Sequence, residues 1–296
     1  MGRPDVAGRR PSAAARTYYV ENPFAKPRMV ALRGSPMSLA LFEHGAQRLD
    51  EIVRPGMLCA FDFDGTLSPI VTQPEQACLP PEVSQRLVEL SSHAPLAIIT
   101  GRSLIDIRTR LRFEPDFLVG NHGLEGLSSG ESDAMRYMET CASWKHALSA
   151  ALSDAAHFDA GVQIEDKQFS LSVHFRAAQD RLHTEQQLLK LFAAMEPRPR
   201  VVAGKCVFNL LPQDAADKGS ALERLMQISG APSAIYLGDD VTDEDVFRLQ
   251  RHDLLSVRIE PAADSAAAFF LHDRIDVVRL LDELISRLRK LHSKNA

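Results

Sequence analysis

Asp62 and Asp64 follow a short unbroken apolar run, Met57-Leu58-Cys59-Ala60-Phe61, and two other apolar runs end in polar groups as well. Thr100 and Arg102 come after Leu96-Ala97-Ile98-Ile99; Asp239, Asp240 and Asp243 come after Ala234-Ile235-Tyr236-Leu237. Carboxylates crowded together repel and raise one another's pKa unless a cation sits among them, and hard oxygen donors favour Mg2+. A carboxylate beside such a cation is placed to attack an electrophile, and aspartyl-phosphate formation is a known route for aspartate nucleophiles. Asp62 is the candidate nucleophile, and Asp64, two residues on, a candidate for handling protons. Thr100 and Lys218 would give phosphoryl oxygens a hydroxyl donor and a point charge, with backbone N–H groups around Asp64, Gly65 and Thr66 forming an anion nest.

For these groups to meet, the runs that carry them must be neighbouring strands. A short continuous apolar run is what a strand buried on both faces requires, and in open α/β sheets ligands bind at the carboxyl ends of such strands. Between the first two runs Val83, Leu87 and Leu90 recur at helical spacing after Pro80-Pro81, which predicts a parallel strand-helix-strand unit. Beyond Pro212 the same texture predicts a helix from Lys218 to Ile228, a short helix from Glu244 to Arg251, a strand from Leu254 to Ile259 and a closing amphipathic helix through Ile275, Val278, Leu281, Ile285 and Leu288.

A different texture interrupts this core. A helix is expected from Trp144 to Ala156, and Phe169, Leu171, Val173 and Phe175 alternate with polar residues as a half-exposed antiparallel strand does. A helix from Asp180 to Met195 and a hairpin around Ala203-Gly204-Lys205-Cys206 complete an α+β insert. The expected division is residues 1–56 for a tail and one amphipathic helix over 37–52, 57–120 for the first part of the core, 121–212 for the insert and 213–296 for the rest of the core. The arginine-bearing first 33 or so residues have no apolar periodicity and predict a disordered tail. His122 is read as a structural residue at the junction, and Trp144 and Phe192 as core.

Of 296 residues, 45% are hydrophobic and 25% charged, a globular composition with length for about two domains. Lys and Arg number 34 against 39 Asp and Glu, for a net charge of −5, with none of the basic excess of nucleic-acid or membrane-surface binders. The four cysteines form no CxxC pair, which points away from zinc and disulfides. The absence of a long apolar run predicts no membrane span and a cytoplasmic location.

DFDGTL at 62–67, ITGR at 99–102, the later Lys218 and GDDVTDED at 238–245 together resemble the haloacid dehalogenase superfamily of phosphatases. NHG at 121–123 and EDKQFSLSVHFR at 165–176 narrow the resemblance to trehalose-6-phosphate phosphatases, over roughly Leu58 to Leu291. This implies an α/β fold, a Rossmann-like parallel-sheet core with an inserted α+β cap domain. It also implies Mg2+-dependent hydrolysis of trehalose 6-phosphate, the last step of trehalose biosynthesis, with a possible link to a trehalose-6-phosphate synthase. By the same resemblance Asp62 is nucleophile and metal ligand, Asp64 the acid/base and a ligand through its carbonyl, Asp239 the remaining protein ligand, and Asp240 and Asp243 the support behind them. Thr100 and Lys218 match phosphate-binding positions, Gly65 and Arg102 substrate-binding ones. In the insert Glu165, Lys167, Arg176 and Lys205 match sugar contacts, and Asn209 stands where many relatives carry glutamate. The rival readings are a phosphatase or phosphomutase for another sugar phosphate and a non-catalytic sugar-phosphate sensor.

Overall fold

The computed structural model of the chain describes residues 38–71, 73–127, 131–153, 161–204 and 206–295. The expected tail and Lys205 lie outside the described residues. The single helix expected over 37–52 is replaced by β1 (Leu39–Ala40), α1 (Leu41–His44) and α2 (Ala46–Ile52). The break falls at Gly45, where a Cβ would lie 2.5 Å from the Leu41 side chain and 2.7 Å from its carbonyl oxygen.

β2 (Leu58–Phe61), α3 (Pro81–Ser91), β3 (Leu96–Ile99), α4 (Leu104–Arg110) and β4 (Phe117–Val119) come next. α3 opens on a proline, whose missing N–H has no partner to lose in a first turn. α4 is capped by Ser103, whose hydroxyl accepts from the Asp106 N–H. Then follow α5 (Glu131–Leu152), β5 (Gln163–Asp166), β6 (Leu171–His174), α6 (Arg181–Ala193), β7 (Arg200–Gly204) and β8 (Val207–Leu211). α5 begins well before the expected Trp144, and the strand expected from Phe169 narrows to β6. Last come α7 (Lys218–Ser229), β9 (Ala234–Gly238), α8 (Glu244–Phe247), β10 (Leu254–Ile259), β11 (Phe269–Leu271) and α9 (Asp276–Asn295). α8 stops at Phe247, short of the expected Arg251.

Seven strands form one sheet in the order β1-β11-β10-β9-β2-β3-β4, with every pairing parallel. Alternate residues of its central strands feed two apolar layers. Cys59, Phe61, Ile98 and Leu237 pack with α2, α3 and α9 on one face. Leu58, Ala60, Ile99 and Tyr236 pack with α7 and α8 on the other. Burial on both faces is why these strands read as unbroken apolar runs. The second sheet is antiparallel, in the order β5-β6-β8-β7. Its Leu171, Val173, Phe208 and Leu210 pack on one side against Trp144 and Leu148 of α5 and Leu188 and Phe192 of α6. The fold is α/β, a Rossmann-like parallel core with an α+β unit inserted between β4 and α7.

Candidate active site

β9, β2 and β3 are adjacent in the sheet, so their carboxyl ends bring Asp239, Asp62 and Thr100 to one crevice. Lys218 joins them as the first residue of α7, whose start is fixed by a reciprocal cap between Asp217 and Ser220. A cation at a helix N-terminus opposes the helix dipole. Here two carboxylates compensate: Lys218 Nζ donates to Asp62 Oδ1 at 2.7 Å and to Asp243 Oδ1 at 2.8 Å, with its side chain 2% exposed. Burial works against the ammonium charge, but Asp243 and Asp62 outweigh it and hold Lys218 protonated well above its usual range.

Asp243 is buried in the turn after β9 and its two oxygens are fully occupied. Oδ1 accepts from Lys218 and, at 2.6 Å, from the Tyr236 hydroxyl; Oδ2 accepts from the backbone N–H groups of Asp239 and Asp240, both at 2.9 Å. A carboxylate has about four acceptor positions. Asp243 therefore fixes the turn and Lys218 rather than offering a lone pair of its own, although one of its oxygens lies within 4.8 Å of oxygens from Asp62 and Asp239.

Asp62 and Asp239 keep free acceptor capacity. Asp239 receives one bond from the Thr66 hydroxyl, at 3.1 Å on Oδ1. Gly65 is the residue that permits this approach: its φ is +82°, and a Cβ would stand 2.1 Å from Asp239 Oδ2. Burial raises the Asp62 carboxyl to about 7, with Asp243 and Asp64 pushing the same way and Lys218 opposing. Asp239 is raised well above the carboxylate range by burial, then by Asp62 and Asp243. Two all-oxygen groups that resist ionising side by side fit a hard divalent cation, which would favour their charged forms.

Asp64 is engaged by Arg102. Arg102 grips it with both prongs, Nε to Oδ2 at 2.6 Å and Nη2 to Oδ1 at 2.7 Å, and holds Asp106 through Nη1 at 2.6 Å. Arg102 thus contacts a member of the expected catalytic pair directly. Thr100 is buried, and its hydroxyl oxygen accepts from the Arg102 N–H at 3.2 Å, which leaves the hydroxyl hydrogen for an anion.

The insert reaches the same crevice through the connection from β5 to β6. Lys167 Nζ donates to the Gly101 carbonyl at 3.3 Å, and Asn121 donates to the Lys167 carbonyl at 2.9 Å. Burial lowers the Lys167 pKa, with Glu165 opposing and Arg102 adding to the shift. Glu165 lies 4.0 Å from Lys167 Nζ and 2.9 Å from His174 Nε2. In register Glu165 pairs with Ser172, and Ser172 with Asn209, so the three line one row of the second sheet. Directly opposite residues share a face, so this row lies opposite the helices. The Ser172 hydroxyl donates to Asn209 Oδ1 at 2.6 Å. Arg176 lies two residues past β6 and is exposed. Asp240 follows Asp239 in the turn, with its N–H held by Asp243.

Sequence reasoning missed Tyr236, which reads as one more apolar residue of β9; Ser172, which reads as filler in the strand pattern; and the anchoring role of Thr66. None of the three carries a local signal, since each hydroxyl meets its partner only across the fold. His122 departs from a plain packing residue: its φ is +59°, its ring fills the space beside Gly101, and its Nδ1 is buried without a partner among the described residues. Burial and the cations Lys218, Lys167 and Arg200 hold the ring neutral.

The chain is 36% identical over 246 residues to a Mycobacterium tuberculosis protein described as an uncharacterized glycosyl hydrolase, covering 77% of this chain and 18% of that one. It is 32% identical over 245 residues to the trehalose-phosphate phosphatase of the same organism, covering 78% of this chain and 61% of that one. It therefore spans less than two thirds of the length of both relatives. The C-terminal domain of Candida albicans trehalose-6-phosphate phosphatase superposes with a TM-score of 0.63 at 21% identity, covering 84% of this chain and 98% of that one. This likeness shows a shared fold. The family pattern described as trehalose-phosphatase runs from residue 60 to 274, from β2 through β11, and takes in every residue of the crevice, so the chain belongs to the trehalose-phosphatase family.

Proposed function

We propose that the chain is a Mg2+-dependent phosphatase that converts trehalose 6-phosphate to trehalose and phosphate through an aspartyl-phosphate on Asp62. The observation that carries this reading is the meeting of buried Asp62 and half-buried Asp239, at neighbouring strand ends, with buried Lys218 at the start of α7 and the insert's Lys167 against the same crevice. Asp62 and Asp239 would hold the cation, which supplies charge neutralisation for the phosphoryl oxygens.

The residues then divide the work. A carboxylate oxygen of Asp62 attacks phosphorus, and the bond from phosphorus to the sugar oxygen breaks as Asp64 gives that oxygen a proton. Asp64 next takes a proton from water, whose oxygen attacks the same phosphorus and releases Asp62 and inorganic phosphate. Lys218 and Thr100 meet the charge that spreads over the phosphoryl oxygens. Arg102 takes one acceptor position on each oxygen of Asp64 and so orients the carboxyl group while leaving a position for the proton it carries. Glu165, Lys167 and Asn209 would face the sugar hydroxyls, and closure of the insert would exclude bulk water.

The test is phosphate release with Mg2+ from trehalose 6-phosphate, sucrose 6-phosphate and glucose 6-phosphate, with Asp62→Asn as control. We expect preference for the first, and loss of turnover and of acid-labile phosphate labelling in the variant. Labelled protein that persists in Asp62→Asn rejects Asp62 as nucleophile. Preference for another sugar keeps the core chemistry and rejects the sugar assignment.

A further inference from the structure

Arg258 sits near the end of β10, paired in the sheet with Gly238, the last residue of β9, and so beside the turn that carries Asp239. Its Nη1 donates to the Asp240 carbonyl and to Glu244 Oε1, both at 3.3 Å. Glu244 is buried, its side chain 7% exposed, and its other oxygen accepts from the Ala266 N–H at 2.9 Å. One guanidinium and one carboxylate thereby tie the turn after β9 to the end of β10 and to the loop entering β11. At this depth each charge depends on the other, since removal of one leaves the second uncompensated.

Arg258 also lines a cavity of about 360 Å3 together with Gly65, Asp239, Glu260 and Arg274. Its Nε is buried with no partner among the described residues. Glu260, two residues on, holds a φ of +60°, a strained value of the kind that gathers at functional sites. The cavity opens on the Asp239 side of the crevice, and Mg2+ bound by one or two carboxylates keeps several waters that need such room.

On the reading that Asp62 and Asp239 hold a divalent cation, the geometry points to Arg258 as a positioning residue: with Glu244 it clamps the Asp239–Asp240 turn so that the Asp239 carboxylate stays within reach of Asp62. The sign of its effect separates this from plain electrostatics. A positive charge repels a neighbouring cation, so by Coulomb's law alone the loss of Arg258 would tighten Mg2+ binding. Clamping demands the reverse, because outer contacts that orient a ligand are worth about ten- to a hundredfold in metal affinity.

The experiment is calorimetric titration of the full chain with MgCl2, without substrate, for the wild type, Arg258→Met and Arg258→Lys, with thermal unfolding in EDTA alongside. Arg258→Met is expected to bind Mg2+ about ten- to a hundredfold more weakly. Arg258→Lys keeps the charge but loses the planar fork and is expected to fall between. Equal or tighter binding by Arg258→Met overturns the assignment, and so does a lowered melting temperature in EDTA with unchanged Mg2+ affinity. If Arg258→Met does not fold, Arg258→Lys decides: weakened binding supports the clamp and unchanged binding overturns it. A wild-type chain that takes up no Mg2+ rejects the metal reading and this assignment together, whereas wild-type binding with unaffected variants rejects the assignment alone.

Discussion

Asp62 and Asp239 are expensive residues to ionise without a cation, and the expense has a pH window. Asp62 is raised to about 7 from an ordinary 3.8, and Asp239 is raised in the same direction. Between those two values the folded chain keeps a proton that the unfolded chain has already lost. The stability this proton supplies is complete below about pH 4 and is lost as the pH rises through about 7. A cation binds the ionised form, so its stabilising effect grows across the same window. We therefore expect the melting temperature in EDTA to fall from pH 5 to pH 8, less steeply in Asp62→Asn, and the increment from Mg2+ to be larger at pH 8. An equal increment at both pH values would contradict the charge account of this pair. Asp62 and Asp239 could be picked out in the sequence because each ends an apolar run, whereas Thr100 and Lys218 stood out only by their places in the order of the family motifs. Tyr236 and Arg258 were not legible, since a hydroxyl in an apolar strand and an arginine near a strand end say nothing until the turn after β9 folds against them.

Elements were legible where burial made their pattern simple. β2, β3, β9 and β10 are covered on both faces, so each reads as an apolar run. β1, β4 and β11 are two or three residues long and take their places only by pairing, β1 with β11 and β4 with β3, which no local period reveals. The same limit hid β5, whose Glu165 and Asp166 look like surface charges until the strand pairs with β6. That pairing gives the second sheet one apolar face on α5 and α6 and one polar row of Glu165, Ser172 and Asn209, and it aims the following Lys167 at Gly101. If the polar row and Lys167 serve the sugar rather than the chemistry, Lys167→Met should separate two substrates. The expected result is a KM for trehalose 6-phosphate raised about ten- to a hundredfold, the worth of one charge-assisted hydrogen bond of about 1.5–3 kcal/mol, with turnover of p-nitrophenyl phosphate little changed. Equal losses on both substrates would place Lys167 with the core machinery instead.

At the scale of the whole molecule, two apolar interiors share one chain. The parallel sheet carries a large buried layer on each face, while the insert has a smaller interior of its own around Trp144, Phe192 and Phe208. Between them run polar contacts, Lys167 to Gly101, Asn121 to Lys167, Arg200 to the Ala216 carbonyl and the Tyr137 hydroxyl to the Asp214 carbonyl, beside one small apolar cluster of Leu124, Tyr137, Leu211 and Ala215. Such contacts contribute about 1 kcal/mol each, less than either interior gains from burying large side chains. The smaller interior has fewer such side chains to lose, and so should open first. The sequence supplies the probe, because Trp144 is its only tryptophan and lies buried in the insert, donating from Nε1 to the Pro197 carbonyl at 2.7 Å. Tryptophan fluorescence therefore reports the insert, while far-UV circular dichroism reports both parts. In a urea titration with Mg2+ present, the fluorescence midpoint is expected at lower urea than the circular-dichroism midpoint, and a trehalose 6-phosphate complex of Asp62→Asn should draw the two together by bridging insert and core. Coincident midpoints without ligand would mean that the polar junction couples the two interiors into one cooperative unit, and closure over substrate would then have to be a motion of loops rather than of the insert as a body.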